Sequence, residues 1–286
     1  MKADITPFFD KRTFTITYVV VEPASRACAI IDSVLDFDAK SGRTSTESAD
    51  AVIAFVRENG LEIQWILETH LHADHLTAAP YLKAELGGRT GIGAKITVAQ
   101  AVFAELFNAG DEFRVDGSQF DRLFDDGERV PLGDGEIEVW QTPGHTPACV
   151  CYRIGDAIFV GDTIFMPDFG SARCDFPGGS AAQLYESVQR ILRLPPETRL
   201  LVGHDYGPGG RAYAWETTVA EQRAANKHLR DGVGRAEFVR MRETRDAELD
   251  MPALLLPAVQ VNMRAGHMPP ADGNGTVYLK LPINAV

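Results

Sequence analysis

Apolar and polar positions alternate from residue 13 onwards, through Thr13, Phe14, Thr15, Ile16 and Thr17, and pass into the β-branched run around Val19, Val20 and Val21. A second apolar run, Cys28, Ala29, Ile30, Ile31, ends on Asp32 after a proline-containing turn. Period-two alternation and β-branched side chains predict two strands, an opening hairpin. Over residues 45–58 the period lengthens: Ala49, Val52, Ile53, Phe55 and Val56 recur at helical spacing, and Gly60 supplies a stop signal. Residues 65–69 then read as a short buried strand ending directly on His70, and a second helix is predicted from His75 or Leu76 to Leu86, closed by Gly87 and Gly88.

Further along, residues 137–141, 149–153 and 157–160 are three short strands separated by Gly/Pro turns, spaced as consecutive antiparallel neighbours. A helix over 180–194 is stopped by Pro195 and Pro196, a strand follows at 199–202, and two more helices are predicted over 214–228 and 236–248. The order of strands, helix, strand recurs in both halves. It predicts an α+β fold, a four-layered αββα sandwich with two sheets face to face and helices outside. The expected organisation is a single unit over residues 1–286, with a core over about 10–230 and a C-terminal extension over about 231–286.

Composition narrows the function. Apolar residues make up 45% and charged residues 24% of the 286, ordinary globular usage that argues against disorder and coiled coil. The formal charge of -12, from 28 Lys and Arg against 40 Asp and Glu, repels nucleic acid, and no basic cluster offsets it. No stretch approaches the roughly 20 apolar residues of a membrane span, and residues 1–7 carry no targeting pattern, so a cytoplasmic chain is expected. Cys28, Cys149, Cys151 and Cys174 suggest no disulfide framework. An anionic substrate would have to be attracted by arginines inside the site.

Candidate ligands cluster in loops that follow predicted strands. In His70-Leu71-His72-Ala73-Asp74-His75, extended backbone would turn His70, His72 and Asp74 to one side, with His75 entering as the chain turns. Thr142-Pro143-Gly144-His145-Thr146-Pro147 fixes a histidine between prolines, Gly161-Asp162-Thr163 ends an apolar strand on a carboxylate, and Gly203-His204-Asp205-Tyr206 repeats the pattern. Singly, each has a bland reading as a cap or turn residue. Together they describe a metal site, because strand-end loops are where a rigid scaffold presents functional groups. Imidazole and carboxylate ligands suit zinc or iron.

These loops resemble those of the metallo-β-lactamase superfamily, which has the αββα fold and hosts hydrolases, nucleases and oxygenases. Further segments, Asp162-Thr163-Ile164-Phe165, Ala172-Arg173-Cys174-Asp175-Phe176, His204-Asp205-Tyr206, residues 218–223 and Val261-Asn262-Met263-Arg264-Ala265-Gly266, are similar to persulfide dioxygenases, also called sulfur dioxygenases. Within that group the likeness is to the bacterial β-lactamase-like hydrolase branch.

The resemblance implies one Fe(2+) per chain held by His70, His145 and Asp162, two imidazoles and a carboxylate that leave positions open for a persulfide sulfur and O2. It implies that His72, Asp74, His75 and His204 line a vacated second-metal site and orient the ligands. Arg173 is expected to face the substrate, its fork suiting a carboxylate of glutathione persulfide. Tyr206 is expected near the iron, as a hydrogen-bond donor. Some relatives carry a cysteine two residues before the arginine, where this chain has Ser171; Cys174 is a candidate redox thiol, with a buried inert cysteine as its bland reading. The partners expected are a small persulfide and O2, with neither nucleic acid nor membrane, and a homodimer by family and by the frequency of two-fold assemblies. Two alternatives stand beside this one. A two-metal thioester hydrolase of the glyoxalase II type would fill both sites, with Zn(2+); a non-enzymatic redox or sulfide sensor would bind metal without turnover.

Overall fold

The chain's path is given by a computed structural model that describes residues 2–285. It opens with strands β1 (Asp4–Asp10), β2 (Thr15–Val21) and β3 (Ala27–Ile31), a small hairpin of β4 (Asp36–Asp38) and β5 (Arg43–Ser45), helix α1 (Glu47–Glu58) and strand β6 (Glu62–Leu67). Then come α2 (Ala79–Leu86), β7 (Arg89–Gly93), α3 (Ile96–Leu106), β8 (Arg122–Phe124), β9 (Arg129–Leu132), β10 (Gly135–Gln141), β11 (Val150–Ile154), β12 (Ala157–Gly161) and α4 (Ala181–Ile191). The last elements are β13 (Arg199–Val202), β14 (Glu216–Thr218), α5 (Val219–Ala225), α6 (Arg235–Asp246) and α7 (Leu255–Asn262).

Two six-stranded sheets form, in the orders β1-β2-β3-β6-β7-β8 and β14-β13-β12-β11-β10-β9. The inner strands β2 and β3 of the first sheet are buried on both faces and largely apolar, as a sheet covered on both sides requires. Ile16, Tyr18, Val20, Ala29 and Ile31 meet Ile137, Val139, Cys151, Phe159 and Leu201 of the second sheet in one core. The intervening residues Val19, Val21, Cys28, Ile30 and Ile66 pack outward on Val52, Ile53 and Val56 of α1 and on Ala79 and Leu82 of α2. On the far side, Leu184, Val188 and Ile191 of α4 and Phe238 of α6 cover the second sheet. The result is the expected αββα sandwich.

The first sheet pairs β3 with β6, β6 with β7 and β7 with β8 in parallel, and the second pairs β12 with β13; the junctions that flank the site, β3 with β6 and β12 with β13, are each bridged by a helix, α1 and α4 respectively. Parallel neighbours need such a crossover, so the recurring order strands, helix, strand was a real signal of topology. The carboxyl ends of these four strands lead to Asp32, to Glu68, Thr69 and His70, to Asp162, and to Gly203 and His204. Hydrogen bonds stitch the two sheets together at this same end: Ile16 N to Gly203 O at 2.9 Å, and Val150 N to Thr69 O at 2.8 Å.

Two predicted helices differ from the observed structure. The one expected from His75 or Leu76 begins at Ala79, with Pro80 in its first turn. Leu76 instead pairs with Leu35, whose amide donates to Leu76 O at 2.7 Å, and its side chain packs against Ala258 and Val261. Its apolar character reflects that contact and not a helical face. The helix expected over 214–228 splits: Glu216–Thr218 is an edge strand on β13, after which Thr218 and Glu221 form a capping box that starts α5. Elements without a clear sequence pattern include β1, a half-buried edge strand, and β7, whose Gly91 is required because a Cβ there would lie 2.4 Å from the Phe124 ring.

Gly161 ties this architecture to the chemistry. It has φ +47, and a Cβ would sit 2.4 Å from Thr69 Oγ1 and 2.7 Å from Thr69 Cβ, across the junction between the sheets. Gly161→Ala is expected to cost about 1–3 kcal/mol in denaturant unfolding. Gly209→Ala, at φ +68 with nothing within 4 Å, is the control that carries backbone strain without crowding. Equal midpoints for the two variants would remove the close packing at Gly161 as a determinant.

Candidate metal centre

His70, His145 and Asp162 arrive from three strand ends, and one ligand atom from each lies within 4.8 Å of the others. Asp162 Oδ2 is 3.9 Å from His70 Nε2 and 3.7 Å from His145 Nε2. The other ring nitrogens are committed: His145 Nδ1 donates to Arg173 O at 2.7 Å, and His70 Nδ1 meets Thr69 Oγ1 at 3.0 Å, a hydroxyl that itself donates to Asp32 Oδ2 at 2.8 Å. Both imidazoles therefore carry their proton on Nδ1 and direct the Nε2 lone pair towards Asp162. Burial, and then the neighbouring His72 and His145, hold the His70 pKa well below the ordinary imidazole value, so the ring is neutral and ready to ligate.

A second group, His72, Asp74, His75 and His204, lies beside the first. His204 Nε2 is 3.3 Å from both Asp74 Oδ2 and Asp162 Oδ1, so Asp162 stands between the groups. Burial opposes a charge on His204, but Asp74 and Asp162 outweigh it and raise its pKa. His72 is pulled the other way. Its Nε2 lies 3.0 Å from Asp32 Oδ1 and 3.1 Å from Glu68 Oε2, inside a third buried group of Asp32, Glu68 and His72. Burial again opposes the charge, and the two carboxylates override it, raising the His72 pKa well above its usual value.

Whether a cation fits here can be judged from the polar atoms the fold leaves without hydrogen bonds. Asp162 Oδ1, Asp74 Oδ2, His72 Nδ1, His75 Nε2 and His204 Nε2 are all buried without a hydrogen-bond partner. Orphaned buried groups cost about 1–3 kcal/mol each, so a fold retains them where a ligand completes them. The donor set, imidazole and carboxylate, suits a borderline transition metal.

A cavity of about 400 Å³ opens onto this centre, lined by His145, Asp162 and Asp74 and by Phe14, Phe165, Phe169, Phe176 and Tyr206. Tyr206 packs its ring 4.6 Å from Phe169 and 6.1 Å from His204. Desolvation of the phenol, then Asp162 and Asp74, push its pKa upward, so it remains a protonated donor. Arg173 also lines the cavity, but its guanidinium is engaged, with Nε and Nη2 on Asp175 at 2.6 Å and Nη1 on Asp250 O at 2.6 Å. Ser171 donates its backbone amide to His228 Nδ1 at 3.0 Å and lines the wall. Cys174 is buried, and that burial, with Asp246, pushes its thiol pKa up. A thiol held protonated is a poor nucleophile, which fits the inert reading. Cys28, Cys149 and Cys151 are likewise buried free thiols, with pKa values raised to about 12, 12 and 11.

Three residues organise the centre in roles that the sequence does not show, although Asn262 lies in one of the family-like segments. Asp32 ends the run 28–32 and Glu68 lies two residues before His70; both looked like strand-end residues. Asn262 sits in α7, far along the chain, where its Nδ2 donates to His72 O at 2.9 Å and His75 O at 2.7 Å while its Oδ1 accepts from Thr77 N at 2.9 Å. It thus clamps the backbone of the first ligand loop.

Comparisons with known proteins bear on the family and the fold. A family model described as the metallo-beta-lactamase superfamily matches residues 12–204. A Burkholderia pseudomallei protein named "Probable metallo-hydrolase" is 55% identical over 98% of this chain and 98% of its own length. The human protein named "Persulfide dioxygenase ETHE1, mitochondrial" is 31% identical, covering 92% of this chain and 88% of its own. The crystal structure of ETHE1 from Myxococcus xanthus superposes with a TM-score of 0.73 at 29% identity, over 92% of this chain and all of the other.

Asn262→Ala removes the clamp, which holds backbone carbonyls of the first loop, without altering any candidate ligand side chain. It is expected to lower metal affinity about 10–100-fold and stability by about 1–3 kcal/mol. Chelator competition reads the first effect, and wild-type metal retention in the variant would show that the loop holds its shape unaided.

Proposed function

The chain belongs to the metallo-beta-lactamase superfamily, and on that premise we propose that it is an iron-dependent persulfide dioxygenase, oxidising the outer sulfur of glutathione persulfide or a similar thiol persulfide in sulfide detoxification. The observation that carries this reading is a complete two-imidazole, one-carboxylate set, His70, His145 and Asp162, standing beside a group whose His72 is already held through Nε2 by Asp32 and Glu68. The likeness to the human and Myxococcus proteins supports it.

His70, His145 and Asp162 would hold one Fe(2+). Bound there, the ion supplies a redox centre with open positions at which a persulfide sulfur and O2 can meet. One persulfide, one O2 and one water then give one thiol, one sulfite and two protons. The protein's own share is positional. Thr69 and the Arg173 carbonyl fix the two imidazole tautomers, and the aromatic wall of Phe14, Phe165, Phe169 and Tyr206 limits water around the reacting sulfur. Tyr206 is placed to donate a hydrogen bond to substrate or oxygen, and Arg173 faces the same cavity. Within the described residues no helix is long and apolar enough to cross a membrane. The proposed partners are the small persulfide and O2, and a homodimer is the proposed assembly.

A second reading, a dinuclear Zn(2+) thioester hydrolase, is favoured by one observation: His72, Asp74, His75 and His204 are close enough to hold a second ion, with Asp162 between the sites.

Protein purified without added metal is expected to contain about one iron per chain and to take up O2 with glutathione persulfide, releasing sulfite. Two zinc ions per chain with cleavage of a glutathione thioester would replace the first reading by the second. His145→Ala is expected to lose iron and activity together, whereas Asp74→Asn retains iron. Equal loss of metal in both would assign Asp74 to the ligand set and favour the dinuclear site.

A further inference from the structure

Four arginines line the cavity over the metal centre: Arg12, Arg173, Arg242 and Arg245. Three are neutralised within the protein. Arg12 lies 3.5 Å from Asp36 and 3.3 Å from Glu47. Arg173 is held by both oxygens of Asp175. Arg242, 2% exposed, grips Asp246 at 2.6 Å and donates to Ser171 O at 3.1 Å, which makes it part of the wall. Arg245 differs. It is exposed, and among the described residues it makes no ion pair and no side-chain hydrogen bond.

A second uncommitted cation lies close by. Lys227 holds its ammonium 5.2 Å from the ring of Phe169, which lines the same cavity, and it too makes no ion pair among the described residues. Burial, followed by the positive charge of Arg245, lowers its pKa, so the two cations act on one another. In a chain of net charge -12, carboxylates are abundant, yet among the described residues none forms an ion pair with Arg245 or Lys227; Asp168, whose charge opposes the lowering at Lys227, is bound by Arg211. The reacting end of the cavity carries the opposite sign, with Asp162 and Asp74 among its lining residues. With the carboxylates at that end committed to the metal centre, Arg245 is the unpaired side-chain charge among the described lining residues that an anionic group on the substrate's body can meet.

We propose that Arg245, assisted by Lys227, binds a carboxylate on the body of the substrate and makes the site selective for thiols and persulfides that carry one, such as a glutathione-type peptide. The arginine that faces the substrate by resemblance, Arg173, keeps its charge on Asp175 and shapes the wall, its carbonyl fixing His145. The choice of a persulfide rests on the reading given above; the carboxylate subsite does not, since a glutathione thioester would use it equally.

The test is calorimetric binding of glutathione, the thiol product, to the metal-loaded protein, with uncharged 2-mercaptoethanol as the reference. Arg245→Glu is expected to weaken glutathione about tenfold or more while changing 2-mercaptoethanol less than about twofold, and Arg245→Lys to retain most of the affinity. In turnover, Arg245→Glu should raise the KM for glutathione persulfide and leave kcat within about twofold, the pattern of lost uniform binding. Equal weakening of both thiols, unchanged glutathione affinity, or loss of discrimination in Arg173→Ala but not in Arg245→Glu would each overturn the assignment. Because binding is read without turnover, failure of the dioxygenase reaction and failure of the carboxylate subsite give different results.

Discussion

Asp32 is buried at the end of β3 with φ +53, in the left-handed region, and its carboxylate accepts from the Thr69 amide at 2.7 Å, the Thr69 hydroxyl at 2.8 Å and His72 Nε2 at 3.0 Å. Burial alone would drive such a carboxyl towards the neutral form, but His72 and the Thr69 donors outweigh it and lower its pKa. Through Thr69 this charge decides which nitrogen of His70 is free to ligate. Through His72 Nε2 it anchors a second imidazole of the first loop, whose Nδ1 is left facing Asp74, His75 and His204. The strained backbone at Asp32 is maintained because these hydrogen bonds over-determine it.

The architecture delivers the remaining ligands by the same logic. A parallel junction places the carboxyl ends of adjacent strands side by side, and the sandwich brings two such junctions together. Ligand atoms from Asp162 and His204 then meet those from His70 and Asp74 across the sheet-to-sheet interface, where Gly161 permits an approach that a side chain would block. The C-terminal helix α7 contributes by clamping the loop through Asn262, so the extension is mechanically part of the centre.

Charge is distributed with equal economy in the cavity. Its walls combine aromatic faces with arginines that serve the fold, through Asp175, Asp246, Asp36 and Glu47. What remains for a ligand is a row of orphaned polar atoms at one place and an uncommitted cation at another. A substrate with a soft reacting atom and a distant carboxylate matches both.

The four ligand loops, the strand preceding each of them and the layered fold were legible in the sequence, because they depend on local period, turn residues and short spacing. Residues 75–78 and 214–218 were misread as helix: their apolar residues are explained by a bridge to Leu35 and by an edge-strand pairing that no local pattern encodes. The roles of Asp32, Glu68 and Asn262 were invisible for the same reason, since a carboxylate or amide acquires a task only when a distant donor is brought to it. Motif likeness could single out Arg173, but whether an arginine is free or already neutralised is a property of its three-dimensional neighbours. The sequence by itself determined which groups could hold a metal; the tertiary structure decided which of them point at one another, because burial and pairing set both their protonation and their direction.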